Sequence, residues 1–383
     1  MKKITAVALC IVFVLATIIP AGANEASDVD VSAMNLNCVS AILMEAETGK
    51  VLFEQNADRA LPPASVTKIM TLLLVMEAVD SGKVKLTDTV TASAYAASMG
   101  GSQIYLKEGE QMPLLDMLKS VIIASANDCA VALAEHIAGS ESVFVARMNA
   151  RAKELGMENT NFENTNGLDD TAENHVCSAR DIALMSRELI KHKTVLTYSS
   201  LWMDTVRDGQ FGLTNTNRLV RFYKGATGLK TGSTAKAGFC VSATAQRYGM
   251  SLIAVIMGSK TRDERNEAAK TLLDWGFANY AFFTDDPKLP ETVRTVGGVL
   301  SECKINADPF SCVVKKGSGN VKKEIVLPES LQAPIKQGDK IGSVKYTQNG
   351  EIIGELDICA SENVEKIGFF DVLMRVFGVL FMR

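Results

Sequence analysis

Three short polar motifs occur in order along the chain, and their residues are suited to acyl transfer. They are Ser65–Lys68, Ser125–Asn127 and Lys230–Gly232, which read SVTK, SAN and KTG. A serine can act as a nucleophile, a neutral lysine can accept its proton, a second hydroxyl can pass that proton onward, and a cationic strand can bind a carboxylate. The first two patterns recur elsewhere in the chain. Their order and surroundings, rather than any single motif, therefore favour this chemistry.

Ser65 follows two prolines and opens a long apolar segment that predicts a helix. Unpaired backbone N–H groups and the helix dipole favour negative charge at such a position, and Lys68 lies one turn later on the same face. The amine must be neutral to accept a proton, and lowering its pKa from about 10.4 to about 7 requires roughly 4.6 kcal/mol. Burial and the charge of Lys230 are the available causes. A capping serine beside a solvated lysine is the alternative interpretation.

The other two motifs fall at the ends of predicted elements. Ser125 and Asn127 lie between two apolar helical segments, where a short break would point polar side chains into a cleft. The KTG motif precedes a predicted strand, Ala237–Ala245, and is interpreted as the start of an edge strand along which an extended substrate could bind. Gly232 would allow a ligand to approach the backbone closely. A capping turn and a glycine-containing turn are the alternative interpretations.

The elements that would position these motifs predict an α+β fold. A hairpin is predicted over Ser40–Ala46 and Val51–Gln55, and later strands over Ala237–Ala245 and Ser251–Met257. Apolar residues at three- and four-residue spacing predict helices over Ile69–Val79, Leu114–Ile123, Cys129–Ile137, Val143–Leu155 and about Asp263–Tyr280. Strands at both ends of the domain favour an antiparallel sheet flanked by helices, in which the N-terminal hairpin pairs with the C-terminal strands.

Composition divides the chain into four segments. Residues 1–23, with two lysines, an apolar run and a closing Ala-Gly-Ala, have the layout of a secretory signal peptide. The remaining length of about 360 residues exceeds one typical core. We therefore predict a large domain over 24–286, a small β-rich domain over 287–365, and a C-terminal amphipathic helix over 366–383.

Charge and cysteine content exclude several classes of protein. The formal net charge of -4 argues against a basic surface that could bind nucleic acid. No Cys or Cys/His cluster suggests a metal site, so no cofactor is predicted. Seven cysteines remain after the signal segment; Cys303 and Cys312 could bridge, but a chain of this size favours free thiols. The three histidines occur without a GxSxG or HExxH motif, which argues against a histidine-based hydrolase.

The last seventeen residues, 367–383, are mostly apolar but interrupted by Asp371 and Arg375, one helical turn apart. As a helix they would reach about 25 Å, short of the roughly 30 Å hydrocarbon core of a bilayer. We therefore expect this helix to lie on a membrane surface. A core helix docked on the β-rich domain is the alternative.

The three motifs resemble those of the serine penicillin-recognising enzymes, and the similarity looks closest to the low-molecular-mass, class C D-alanyl-D-alanine carboxypeptidases. It extends over the surroundings of each motif and over residues 162–169, FENTNGLD, from about Ser40 to Arg383. The resemblance implies an exported serine peptidase at the outer face of the cytoplasmic membrane. Such an enzyme removes the terminal D-alanine of peptidoglycan stem peptides ending in D-Ala-D-Ala and is acylated by β-lactams.

The resemblance also implies residue roles. Ser65 would be acylated, with Lys68 as its base. Ser125 would relay a proton and Asn127 would hold the substrate amide. The remaining implied substrate-binding residues are Lys230, Thr231, Gly232, Ser233 and Arg265. Of these, Ser233 would share the oxyanion hole with the Ser65 N–H, and Arg265, with Lys260 and Arg262 as rival cations nearby, would face the substrate carboxylate.

Three alternatives share this chemistry. A class A β-lactamase needs a glutamate that activates water; Glu163 is the nearby candidate, and its sequence context fits the carboxypeptidases better. A non-catalytic β-lactam sensor would need a signalling span or effector domain, which the sequence does not display. A DD-endopeptidase that cuts D-alanyl cross-links would use the same residues, and the motifs do not separate it from a carboxypeptidase.

Overall fold

The structure is a computed structural model that describes residues 13–16, 34, 36–170 and 172–381. One compact unit covers Asp28–Tyr280 and a second covers Ala281–Arg383. The domain boundary predicted from the sequence lies slightly later, after residue 286. The predicted signal segment lies outside the described residues except for strand β1 (Phe13–Ala16), which pairs with a strand of the second unit.

The first unit is built on an antiparallel sheet. Its strands, which include those of two small two-stranded sheets, are β2 (Ser40–Glu45), β3 (Val51–Gln55), β4 (Thr89–Thr91), β5 (Gln111–Pro113), β6 (Met203–Val206), β7 (Phe211–Thr214), β8 (Ala226–Thr234), β9 (Gly238–Arg247) and β10 (Met250–Ser259). The main sheet has the order β3-β2-β10-β9-β8. The predicted pairing of the N-terminal hairpin with the C-terminal strands is confirmed, because β2 lies against β10.

Helices cover this sheet. They are α1 (Lys68–Asp80), α2 (Ala94–Ala97), α3 (Leu114–Lys119), α4 (Asn127–Ala138), α5 (Glu141–Glu154), α6 (Ala179–Leu189), α7 (Lys193–Ser199), α8 (Leu219–Phe222) and α9 (Arg262–Asn279). One helix predicted as continuous is divided: α3 ends at Lys119 and a π-helical turn, Ser120–Ala124, follows. The last helix begins with a capping box between Thr261 and Glu264, which satisfies two backbone donors at its start.

Strand alternation places helices on both faces of the sheet. Ile42 and Val255 belong to the main core, where α6 packs on β2 and β10. Leu43 and Leu252 point to the other face, against α9. A Cβ atom at Gly276 of α9 would lie 2.7 Å from both leucine side chains. The glycine therefore lets this helix approach the sheet closely.

The second unit is β-rich. Its strands are β11 (Tyr280–Asp285), β12 (Thr292–Val296), β13 (Glu302–Asn306), β14 (Phe310–Lys315), β15 (Lys322–Val326), β16 (Ser330–Gln332), β17 (Lys340–Gln348) and β18 (Glu351–Ala360). Phe310 and Tyr346 stack in its core with ring centroids 4.0 Å apart. The Tyr346 hydroxyl donates to the Asp285 carboxylate, which also pairs with Lys323 at 2.7 Å. Cys303 is buried with a free thiol.

The predicted C-terminal helix is present as α10 (Phe369–Phe381). Its apolar side chains are unusually open to solvent: Phe369 is 76% exposed, Phe370 77% and Met374 71%. Across the described ranges, no single helix has the length and apolarity needed to span a bilayer. The pair α4 and α5, which is bent by 85°, meets the same criteria of length and composition when its two helices are taken together.

Candidate active site

Ser65 lies in a 3-10 turn, Ala64–Thr67, that leads directly into α1. The sequence predicts a helix start here, and the structure adds that Ser65 caps no helix, since no side-chain cap bond forms at either element. Its hydroxyl is instead available for chemistry. Lys68 Nζ lies 2.8 Å from Ser65 Oγ, as their spacing along the chain predicts.

The Lys68 amine is fully buried and donates to the Asn166 carbonyl at 2.7 Å. Burial lowers its pKa well below the usual value, the nearby charge of Lys230 lowers it further, and Asp128 partly opposes both effects. A buried ammonium loses its hydration, so the neutral amine is favoured. Both effects therefore act in the direction that a general base requires, toward the neutral amine.

Ser125 joins the π-helical turn to α4 in a left-handed backbone conformation, with φ of 64°. Lys230 Nζ donates to Ser125 Oγ at 2.8 Å and to the Thr231 carbonyl at 2.9 Å. Burial, followed by the charge of Arg265, lowers the pKa of Lys230 to about 7. The second and third motifs thus meet in one buried hydrogen-bonded pair.

Asn127 is the first residue of α4 and is held on two sides. Its backbone N–H donates to the Ser102 carbonyl and its side-chain amide to the Gly100 carbonyl, both at 2.7 Å. Its buried Oδ1 has no hydrogen-bond partner within the described residues. A buried acceptor left in this way is costly unless something donates to it, so it suits a ligand N–H.

The KTG motif lies in the second half of β8, not at the start of a strand as predicted, because β8 begins at Ala226. The prediction of an edge strand agrees with the sheet order, since β8 pairs only with β9 in the main sheet. Gly232 faces the turn that carries Ser65: a Cβ there would lie 2.8 Å from the Pro63 carbonyl oxygen and from the Ser65 N. An edge strand can pair with an extended ligand through its outer backbone groups.

A cleft of about 480 Å³ opens over these residues. Arg265 is 3% exposed and donates to the Asn266 side chain, and Thr231 Oγ1 donates to Thr216 Oγ1 at 2.8 Å. No aspartate or glutamate belongs to the described lining, so the cleft favours an anionic ligand. The lining residues are Ser65, Ser102, Ser125, Trp202, Thr214, Asn215, Thr216, Arg218, Thr231, Gly232, Ser233, Arg262 and Arg265.

Comparison with known proteins agrees with this geometry. Residues 27–261 match the family described as D-alanyl-D-alanine carboxypeptidase, and residues 298–366 match the C-terminal domain of penicillin-binding protein 5. This chain belongs to the D-alanyl-D-alanine carboxypeptidase family. The predicted membership among the low-molecular-mass class C penicillin-binding proteins is confirmed, as is the predicted α+β fold with a β-rich domain after it.

Similar members of the family match over most of their length. The chain is 44% identical to D-alanyl-D-alanine carboxypeptidase DacF of Bacillus subtilis, covering 88% of this chain and 89% of that protein. It is 37% identical to DacC of Escherichia coli, covering 94% and 91%. Penicillin binding protein 5 from Haemophilus influenzae has a similar structure, with a TM-score of 0.76, 33% identity and coverage of 86% and 98%. Penicillin-Binding Protein D2 from Listeria monocytogenes, in its ampicillin-bound form, gives a TM-score of 0.59 at 32% identity, covering 64% and 99%.

Glu163, which a β-lactamase would need as its water-activating group, has another task in this family member. Its carboxylate accepts the backbone N–H groups of Glu173 at 2.9 Å and Asn174 at 3.1 Å. It is not among the residues that line the cleft. The two backbone donors commit the carboxylate to holding the loop together, so the geometry disfavours Glu163 as a base.

Six of the predicted site residues line the cleft: Ser65, Ser125, Thr231, Gly232, Ser233 and Arg265. Lys68, Lys230 and Asn127 do not line it, but they are hydrogen-bonded to the lining residues Ser65, Ser125 and Ser102 respectively. The structure also adds residues that the sequence did not indicate. Of the two rival cations, Arg262 lines the cleft and Lys260 does not. Among these added residues, Thr216 and Arg218 belong to no recognisable motif, and the sequence around His175 indicates an ordinary loop residue. The sequence could have indicated Asp128, because this residue directly follows the SAN motif. Within the described residues, no group of three or more His, Cys, Asp or Glu side chains could hold a metal ion.

Proposed function

We propose that this chain is a serine D-alanyl-D-alanine carboxypeptidase that removes the terminal D-alanine of peptidoglycan stem peptides through an acyl-enzyme on Ser65. The observation that carries the proposal is the 2.8 Å approach of the buried Lys68 amine to Ser65 Oγ, because Ser65 lines a cleft bordered by the edge strand β8. Family membership sets the substrate class.

In the acylation step, neutral Lys68 takes the Ser65 proton while Oγ attacks the carbonyl carbon of the scissile D-Ala-D-Ala bond. The developing oxyanion accepts the backbone N–H groups of Ser65 and Ser233. One such donor typically contributes about 2.7 to 4 kcal/mol to a transition state. The close packing of Gly232 on the Ser65 turn supports this assignment, because it keeps the two donors near each other.

Collapse of the tetrahedral intermediate breaks the C–N bond, and the proton held by Lys68 passes to the leaving amine of D-alanine. The Ser125 hydroxyl is the relay, and Lys230 orients it by donating to Ser125 Oγ. Water then attacks the ester on Ser65, with Lys68 again accepting a proton. The acyl C–O bond then breaks and Lys68 returns the proton to Ser65 Oγ, which leaves free serine and a shortened stem peptide.

Substrate binding uses the charge and edges of the cleft. The terminal carboxylate is held by Thr231 and Arg265 beside the positive charge of Lys230, which suits the absence of acidic lining residues. The open acceptor of Asn127 receives a substrate amide N–H. The peptide backbone extends along β8. β-Lactams, which present a carboxylate beside a reactive carbonyl, occupy the same groups as inhibitors.

The site is tested by intact-mass analysis of the mature protein with benzylpenicillin. We expect a stable adduct on the unchanged chain and none on Ser65→Ala. Ser301→Ala is the matched control, since Ser301 and Lys304 form another SxxK pattern, on an exposed strand end, and it should label normally. Release of D-alanine from a stem pentapeptide supports the proposal.

The other outcomes separate the alternatives. An adduct without D-alanine release indicates a sensor, rapid penicillin turnover indicates a β-lactamase, and cleavage of cross-linked dimers in preference to pentapeptides indicates an endopeptidase. Labelling of Ser65→Ala at the normal rate contradicts the proposed nucleophile.

We also propose that the protein is exported and held at the outer face of the cytoplasmic membrane by α10. Thirteen helical residues span about 20 Å, too short to cross a bilayer, and the open Phe369 and Phe370 argue against docking on the β-rich unit. Deleting the residues after Glu365 should abolish sedimentation with anionic phospholipid vesicles and leave penicillin acylation intact. Retained tight vesicle binding would contradict the anchor.

A further inference from the structure

The loop between residues 162 and 176 returns to the body of the first unit at a narrow neck. Asn161 and Val176 exchange two backbone hydrogen bonds of 2.9 and 3.0 Å there. His175 fills this neck. It is 5% exposed, and its ring lies edge-on to Phe162 with centroids 5.8 Å apart. Because His175 lies inside the neck rather than on the loop surface, it can connect the loop with the body of the first unit.

The imidazole of His175 makes two hydrogen bonds that fix its tautomer. The Glu163 backbone N–H donates to Nδ1 at 3.0 Å, so Nδ1 carries no proton. Nε2 therefore holds the ring proton and donates to Thr67 Oγ1 at 2.7 Å. Thr67 directly precedes Lys68 in the first motif. The ring thus ties the loop to the residue before the proposed base.

The tip of the same loop contacts Lys68 itself. Lys68 Nζ lies between Ser65 Oγ at 2.8 Å and the Asn166 carbonyl at 2.7 Å. A neutral amine has two hydrogens and one lone pair, so an N–H committed to Asn166 leaves the lone pair free to face Ser65. Gly167 keeps the tip close: a Cβ there would lie 1.9 Å from the Ala64 carbonyl oxygen. The position of the loop therefore sets the direction of the amine.

We propose that His175 is a positioning residue for the acyl-transfer reaction: it clamps the neck of loop 162–176 to Thr67 and so holds the Lys68 lone pair toward Ser65. The inference rests on the proposed function, because it needs Lys68 to act as the base. His175 touches neither the cleft nor the reacting atoms, and it acts through the loop and the turn.

The loop has other attachments, which makes the role of His175 separable from folding. Thr165 donates through its backbone N–H and hydroxyl to the Glu141 carboxylate at 2.9 and 2.7 Å. Thr71 donates to the Thr165 carbonyl at 2.6 Å. These contacts remain when His175 is replaced. Loss of the ring should therefore loosen the neck and admit water near Lys68 while the fold persists.

The test compares His175→Leu with His175→Gln by stopped-flow acylation with a fluorescent penicillin across pH. Leucine fills the neck without hydrogen bonds, whereas glutamine can accept from Glu163 and donate to Thr67. We expect His175→Leu to slow acylation at neutral pH by roughly ten- to a hundredfold, the range expected for a small misplacement of reacting groups. We expect His175→Gln to recover most of that loss.

The pH profile separates positioning from simple destabilisation. Hydration of Lys68 raises its pKa, so the acid limb of acylation should move to higher pH in His175→Leu; a merely unstable variant loses amplitude without moving the limb. Burial lowers the pKa of His175 to about 4, so the ring itself stays neutral above about pH 5. The charge of Lys68 also lowers this pKa, whereas the charges of Glu163, Asp169 and Glu141 raise it. His192→Gln, which removes a histidine paired with Asp80, is the matched control and should leave the limb in place.

An unmoved acid limb with wild-type rates in His175→Leu would overturn the inference. Equal loss in the leucine and glutamine variants, with equal drops in Tm, would also overturn it. Failure of the unchanged chain to form any penicillin adduct would instead refute the proposed function, so the two failures are distinguishable.

Discussion

Gly232→Ala tests how closely the edge strand must approach Ser65, the proposed nucleophile. The added Cβ would lie 2.8 Å from the Pro63 carbonyl oxygen, 2.8 Å from the Ser65 N and 2.9 Å from the Val66 N. All three are backbone atoms of the turn that carries Ser65. Ordinary contact begins near 3.4 Å, so the strand and the turn must separate by about 0.6 Å.

This separation acts directly on the reaction. A shift of about 1 Å in reacting groups can reduce the rate by roughly a hundredfold, so we expect Gly232→Ala to lower the second-order rate of penicillin acylation about ten- to a hundredfold. That loss corresponds to about 1.4 to 2.7 kcal/mol of transition-state stabilisation. Overpacking should also lower the free energy of unfolding by about 1 to 3 kcal/mol.

Stopped-flow acylation with a fluorescent penicillin measures the rate, and thermal unfolding measures the stability. Gly212→Ala is the matched control, because Gly212 also lies in a strand, has no positive φ, and has no atom within 4 Å of the added Cβ. The control should acylate normally. Acylation of Gly232→Ala within about threefold of the unchanged chain, less than 0.7 kcal/mol, would refute the close-approach reasoning.

Two further substitutions probe the electrostatics. Arg265 lowers the pKa of Lys230, so Arg265→Gln should raise that pKa from about 7 toward its ordinary value, move the alkaline limb of the acylation profile to higher pH and raise KM for the stem peptide. An alkaline limb that stays in place would contradict this. Asp128 accepts the Ile104 and Leu106 N–H groups at 3.1 and 3.0 Å and raises the pKa of Lys68. Asp128→Asn should therefore shift the acid limb to lower pH and reduce the free energy of unfolding by about 1 to 3 kcal/mol, as measured by denaturant titration; an unchanged profile and midpoint would refute both roles.

The β-lactamase alternative depends on how Glu163 is used. The sequence offers it as a water-activating carboxylate because it lies in the right region of the chain. Its two backbone donors instead commit it to closing loop 162–176. Deacylation after penicillin attack is therefore expected to be slow, as a carboxypeptidase inhibited by β-lactams requires.

Several elements could be predicted because their causes are local. Apolar spacing predicts α1, α4 and α9, and the alternation and turn of residues 40–55 predict the first hairpin. The division of the predicted helix Leu114–Ile123 could not be seen in this way. Nothing in its residues marks the change to a π-helical turn, which leads to the left-handed conformation of Ser125. That conformation is stabilised by contacts with distant parts of the chain.

The sequence by itself determined which chemical groups are available, and it placed Ser65 and Lys68 within reach because their spacing is one helical turn. Tertiary structure alone decided that Lys230 meets Ser125, 105 residues away, and that His175 reaches Thr67 across 108 residues. It also lowered the pKa of Lys68, since that shift comes from burial and from a second cation, Lys230, on strand β8. Local propensity extends over a few residues, whereas desolvation and long-range hydrogen bonds exist only after the sheet and its helices have packed.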